Sequence, residues 1–124
     1  NAGAPAAEKA AERAAAPWPI FRGDAALKGV APGTIGTELE LLWSYPTAGA
    51  VASSPVVAGE VVYVGSDDQK LHAVRAKDGA PLWSQPTGDI VEAPPLYVDG
   101  VVVVGAHDGV VYAFDASSGE PRWK

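Results

Sequence analysis

The side chains of this 124-residue chain that could carry chemistry are few: the adjacent carboxylates Asp67 and Asp68, the imidazoles of His72 and His107, and the hydroxyls of Ser53 and Ser54. Paired carboxylates supply hard oxygens of the kind that bind calcium, which takes about six to eight of them. Here the pair sits between two apolar runs, where aspartate is first of all a turn former because its side chain bonds nearby backbone. Two imidazoles suit zinc, but His72 and His107 fall at different places in the repeat described below, so they form no periodic ligand pair. Neither serine has a histidine and an acid close in sequence to activate it. No phosphate-cradling loop or zinc-ligand spacing is present. Residue types therefore assign no catalytic, cofactor-binding or metal-ligating residue, and no cofactor.

Composition narrows the partners. Nine Lys and Arg against fifteen Asp and Glu give a formal net charge of −6, which opposes attraction to phosphate backbones and anionic lipid. Nucleic acid is not an expected partner. Cysteine is absent, which leaves no disulfide framework and no indication of redox compartment. No apolar run approaches the roughly 20 residues that cross a bilayer, and no basic-then-apolar signal segment opens the chain. An apolar content of 48% is enough for the core of about one domain.

What must position these residues is a repeat. Trp43, Trp83 and Trp123 are forty residues apart both times. An ungapped overlay of 43–82 on 83–122 also pairs Pro46 with Pro86, Thr47 with Thr87, Val51 with Val91 and Pro55 with Pro95. Gly65 falls on Gly105, Asp68 on Asp108, Ala73 on Ala113, Gly79 on Gly119 and Pro81 on Pro121. A period of about 40 is the length of one four-stranded propeller blade. Strands are expected over 53–58, 61–65, 70–74 and 81–85 in the first copy, and over 93–98, 101–105, 110–114 and 121–123 in the second. Between them stand turns of hairpin composition, Asp99-Gly100 most plainly, so each copy reads as an antiparallel meander. The runs 61–64 and 101–104 are apolar on both faces, which requires cover from two sides. Stacked sheets supply it. The expected fold is all-β: four-stranded antiparallel propeller blades, two repeats of a partial propeller.

Residues 1–17 read as an Ala-rich tether or helix. Glu8 stands four residues before Glu12 and Lys9 four before Arg13, unfavourable like-charge pairs set against the high helix propensity of alanine. A short helix is expected over 6–15, ended by Pro17, serving as a tether or as a docking helix for a partner. Residues 18–42 form a lead-in. Trp18, Ile20 and Phe21 are placed to anchor it against a sheet, with Arg22 stacking on a ring or pairing with a carboxylate. Residues 38–45 alternate well enough to be an outer strand leading into the first repeat, 43–82, which the second, 83–124, follows. Propellers close with about four to eight blades. The expectation is a part of a longer propeller, an assembly of copies, or two blades capped by a partner.

The run Ala113, Phe114, Asp115, Ala116, Ser117, Ser118, Gly119, Glu120, Pro121, Arg122, Trp123 resembles the tryptophan-docking motif of the pyrroloquinoline-quinone-like (PQQ-like) β-propeller repeats, with Ser118 in the place of a threonine. Ala73, Gly79 and Trp83 carry the motif in the first copy, where Arg75 replaces the aspartate and Asp78 the threonine. The run from Ser53 through Tyr63 to Leu71, and the segment Trp18, Phe21, Arg22, Gly23, are similar to the same family. The motif has a physical sense of its own: alanine and glycine leave a gap between blades that an indole fills, and a short polar side chain such as Asp115 ties the hairpin. Trp43, Trp83, Trp123, Ala73, Gly79, Ala113, Asp115, Ser118 and Gly119 are thus structural repeat positions.

The resemblance implies two functional classes. Quinoprotein dehydrogenases hold the quinone and calcium in a central funnel with ligands from several blades, often with a vicinal cysteine pair. Non-catalytic relatives, such as the outer-membrane-protein assembly lipoprotein, bind proteins on the propeller surface. This chain lacks cysteine, and two repeats do not encircle a cofactor. The expectation is a non-enzymatic scaffold or accessory subunit, outside the cytoplasm as the resemblance implies. Its partners would be other protein subunits, missing blades of its own chain, or further copies of itself, with membrane association only through those partners. The alternative is a fragment of a quinoprotein dehydrogenase.

Overall fold

Two-residue turns decide which strands pair. Gly59 (φ 60°) and the couple Asp99 and Gly100 (φ 46° and 78°) take the positive φ that such hairpin turns require. Each folds one strand back on the last. The computed structural model describes residues 17–124; the helix expected over 6–15 lies outside them. Eight strands follow in order: β1 Val56–Ala58, β2 Val61–Ser66, β3 Lys70–Arg75, β4 Pro81–Pro86, β5 Leu96–Val98, β6 Val101–Gly105, β7 Val111–Asp115 and β8 Pro121–Trp123. They make two four-stranded sheets, β1-β2-β3-β4 and β5-β6-β7-β8, every neighbour antiparallel. The fold is all-β, two blades of a propeller.

The first strand of each sheet is shorter than expected, three residues rather than six. Pro55, Pro94 and Pro95 precede them, and proline has no N–H to give to a ladder. Ala73 pairs with Trp83 and Val74 with Pro81, so Leu82 is bulged. The same slip recurs where Ala113 pairs with Trp123 and Phe114 with Pro121. Across the two sheets β1 and β5 make the most extensive strand contact. The sheets converge at their first strands.

The two-sided apolar runs are covered unequally. In β6, Val102 and Val104 are buried while Val101 and Val103 are half-buried. A core of Val56, Tyr63, Leu71, Val91, Val102 and Phe114 fills the space between the sheets. The lead-in crosses the first strands of both: Trp18 exchanges two backbone hydrogen bonds with Val57 (2.7 and 2.8 Å), and the Tyr97 N–H donates to Pro19 O (2.8 Å).

One expected strand does not form. Residues 38–45 have no strand assignment, and no backbone group of 38–46 bonds another described residue. By the repeat this segment corresponds to β4 and β8, each of which pairs with the third strand of its own sheet. No such third strand stands beside 38–45 among the described residues, and a strand without a partner leaves its hydrogen bonds to water.

Candidate functional site

The junctions between sheets are built around the tryptophans. The Trp83 indole N–H donates to Ala116 O at 3.0 Å, and its ring lies over Gly119, where an added Cβ would come within 2.7 Å of it at a φ of +75°. Both counts demand glycine. Trp43 repeats the arrangement on the first sheet: its N–H donates to Ala76 O at 2.9 Å, and its ring covers Gly79, at φ +72° with the same 2.7 Å approach. Ala73 and Ala113, opposite Trp83 and Trp123, are fully buried. Trp123 differs, being 55% exposed.

The junction between the two sheets has a second post. Tyr63 donates its hydroxyl to Ala116 O at 3.1 Å, so that carbonyl accepts from both phenol and indole. Tyr63 also stacks on Tyr97, with ring centroids 6.1 Å apart, and leans on Trp83 at 5.8 Å. Burial first, then the neighbouring Tyr97 and Asp115, push the Tyr63 phenol up to about 12. It is a neutral donor throughout the ordinary pH range.

Each β3–β4-type hairpin is tied by one carboxylate. Asp115 accepts from the Ser117 hydroxyl and N–H, the Ser118 N–H and the Arg122 guanidinium. Bonds from Ser117 and then Arg122 hold its carboxyl far below the usual range. Ser118 Oγ accepts from the Glu120 N–H. In the first copy Asp78 does this work from a different position, taking the Ala80 N–H and Arg75; the Ala80 bond is the main cause of its lowered pKa.

On β3, next to the turn from β2, His72 is buried with both ring nitrogens engaged. Nδ1 lies 3.1 Å from the Tyr45 hydroxyl and Nε2 lies 3.0 and 3.1 Å from the Asp68 carboxylate oxygens. Asp68 also accepts from the Ala48 N–H. Burial works against the charged carboxylate, and the bonds from His72 and Ala48 outweigh it, so the pKa falls. The second copy has Tyr112 where His72 stands, donating to Asp108 and accepting from the Gly88 N–H; that phenol bond is the leading cause of the lowered Asp108 pKa. In both copies the cluster fastens the incoming segment, 45–50 or 85–90, to the sheet.

The residues first singled out for chemistry are dispersed among these tasks. Ser53 donates to Ala93 O, forty residues away. His107 pairs with Glu92 at 2.8 Å, both about half exposed. Asp67 has one buried oxygen without a protein partner, and among the described residues no group of three or more His, Cys, Asp or Glu could hold a metal. The carboxylates of Asp78, Asp108 and Asp115 bond within their own turns and that of Asp68 bonds Ala48 and His72, so this donor set does not fit a quinone–calcium centre, which needs several free oxygens around one point. In the lead-in, Trp18 packs on Gly23 and Ile20 is half-buried. Phe21 is 46% exposed, and Arg22, at φ 62°, lies against Gly29. The roles of Tyr45, Tyr63 and His72 were missed. A signal existed for His72, four residues beyond Asp68 as Tyr112 is beyond Asp108. For Tyr63, which reaches 53 residues ahead, there was none.

Two converging four-stranded antiparallel sheets, an indole between them and a period of forty define a β-propeller of the PQQ-like repeat class. The chain belongs to the family described as outer membrane protein assembly factor BamB, whose model matches residues 36–124. Among solved structures, BamB from Moraxella catarrhalis is similar at 26% identity and a TM-score of 0.61, covering 66% of this chain and 26% of that one. A quinohemoprotein alcohol dehydrogenase from Comamonas testosteroni is similar at 25% identity and a TM-score of 0.75, covering 94% of this chain and 20% of that one. Another, from Pseudomonas putida HK5, shares 33% identity over 56% of this chain at a TM-score of 0.53. The chain thus spans about a quarter or less of the length of these structures. No curated protein matches it.

Proposed function

We propose that this chain is a non-catalytic part of a propeller that serves as a scaffold for protein association in an extracytoplasmic complex, with 18–42 as lead-in and 43–82 and 83–124 as its repeat units. The observation that carries this reading is the commitment of its polar side chains: Asp68, His72, Asp78, Asp108 and Asp115 bond turns, hairpins and the incoming chain. Trp83 joins the two sheets, and Trp43 fixes the incoming segment to the first. Membership of the BamB family, described as an outer membrane protein assembly factor, adds support. Partners would be protein subunits, further blades or further copies. Light scattering on the purified chain tests the last of these, a monomer ruling it out.

A second reading is favoured by one observation: the Comamonas alcohol dehydrogenase resembles 94% of this chain, more than the family model covers. On that reading the chain is part of a quinoprotein dehydrogenase whose cofactor ligands come from other blades. Adding quinone and calcium to the full-length protein and following dye reduction separates the two. Turnover defeats the scaffold reading; its absence, with retained binding of a partner protein, supports it.

A further inference from the structure

Tyr45 differs from the other three tyrosines in what its hydroxyl meets. Its oxygen lies 3.1 Å from His72 Nδ1, with the two rings edge to face at 5.6 Å. On the far side of the imidazole, Nε2 lies 3.0 and 3.1 Å from the Asp68 oxygens. The Asp68 carboxyl is held below its ordinary range, so at neutral pH it is ionised and only accepts. Nε2 therefore carries the proton of a neutral imidazole, which leaves the Nδ1 lone pair to accept the phenol O–H. His72 is buried, and its ladder neighbours Val64 and Ser84 bring no charge. The other phenols are placed otherwise: Tyr63 donates to a backbone carbonyl, Tyr112 to the Asp108 carboxylate, and Tyr97 stacks on Tyr63.

We propose that Tyr45 is a one-electron oxidation site, where oxidising equivalents delivered to this chain by a diffusible radical oxidant come to rest. The oxidant takes one electron from the Tyr45 ring and is reduced to its anion. The phenolic O–H bond breaks, its proton bonds to His72 Nδ1, and a neutral phenoxyl radical remains. Asp68 then faces an imidazolium and stabilises it through the Nε2 bond already in place. The second copy shows what the imidazole adds. Tyr112 would have to give its proton to a carboxylate, and imidazole holds a proton about 2.6 pKa units, roughly 400-fold, more tightly than a carboxylate does. A hole first formed on Trp43, two residues away, is drawn to the same phenol, since the indole N–H bonds the Ala76 carbonyl and has no base to receive its proton. The inference goes beyond the scaffold reading and does not depend on it.

Pulse radiolysis of the 124-residue chain with azidyl radicals tests it, the protein radicals being captured by a nitroso spin trap and located by peptide mass mapping. Tyr45, Tyr97 and Tyr112 are all half-buried, so unequal labelling reports the hydroxyl's partner rather than access. Tyr45 should carry at least about tenfold more trap than Tyr97 or Tyr112, a part of the difference in proton affinity. In His72→Gln the side chain still accepts from the phenol and donates to Asp68 but holds no further proton. That variant, its fold checked by tryptophan fluorescence, should lose the Tyr45 excess and keep the labelling of Tyr97 and Tyr112. A second measurement needs no variant: in heavy water the phenoxyl absorbance should grow more slowly, because a deuteron moves with the electron. Equal labelling of the three tyrosines overturns the proposal, as does an unchanged Tyr45 yield in folded His72→Gln or a growth rate indifferent to heavy water.

Discussion

The two sheets have nearly the same ladders and turns yet bury their repeat partners very differently. Val56 is 0% exposed and its counterpart Leu96 is 37%; Leu71 is 0% and Val111 is 48%. The order reverses one segment earlier, where Val91 is 0% exposed and Val51 is 53%. The difference is one of neighbours. The first sheet has Trp43 and the 45–50 segment on one face and the second sheet on the other, whereas the second sheet has a neighbour on one face. Within this fold burial belongs to a position's place in the stack, and the same residue type at the same register is core or surface accordingly.

That comparison can be broken at its tightest point first. Gly119→Val places a β-branched side chain at φ +75° in the space of the Trp83 ring, and should cost about 4 kcal/mol or prevent folding, measured by urea denaturation. Trp83→Ala should cost about 3 kcal/mol, and Trp123→Ala less than about 1 kcal/mol, because only the first ring is enclosed between sheets. Equal losses for the two tryptophans would sink the account. Tyr63→Phe removes one of two donors to Ala116 O and should cost about 1 kcal/mol, with the indole bond retained.

The smallest effects are electrostatic. Asp68, Asp78, Asp108 and Asp115 all have lowered pKa values in the folded chain. Their contribution is present above the unfolded carboxylate value of about 3.9 and is lost as pH falls through the folded values. Acid unfolding followed by tryptophan fluorescence should therefore set in below about pH 4, and Asp115→Asn should flatten it more than Asp78→Asn, Asp115 having the more strongly lowered pKa. Tyr63 works in the opposite direction. Its raised pKa makes a contribution intact below about 10 and lost as pH rises through about 12.

Much of this was legible in the sequence because it is local or periodic. Asp99 and Gly100 announce a hairpin by backbone chemistry alone, and a forty-residue spacing places Trp83 without reference to what it touches. The strand expected over 38–45 failed for a complementary reason: alternation reports what a segment is fit for, while a ladder also requires a neighbour. The short first strands were a local error, since Pro55 and Pro95 were counted as strand residues although they cannot donate. The fastening of Tyr45 to His72 spans 27 residues and replaces a different pair in the second copy, so periodicity could not reveal it.

The repeat units and the sheets are out of phase. Each forty-residue unit opens on the outer strand of the sheet before it, so a boundary at 82 cuts through β4. A gene duplication of one full period, started at any codon, would still deliver every indole to a glycine thirty-six positions ahead. Chains of this kind can therefore lengthen by whole sheets without selecting where the recombination falls, whereas an insertion of any other length dislodges a wedge from its seat.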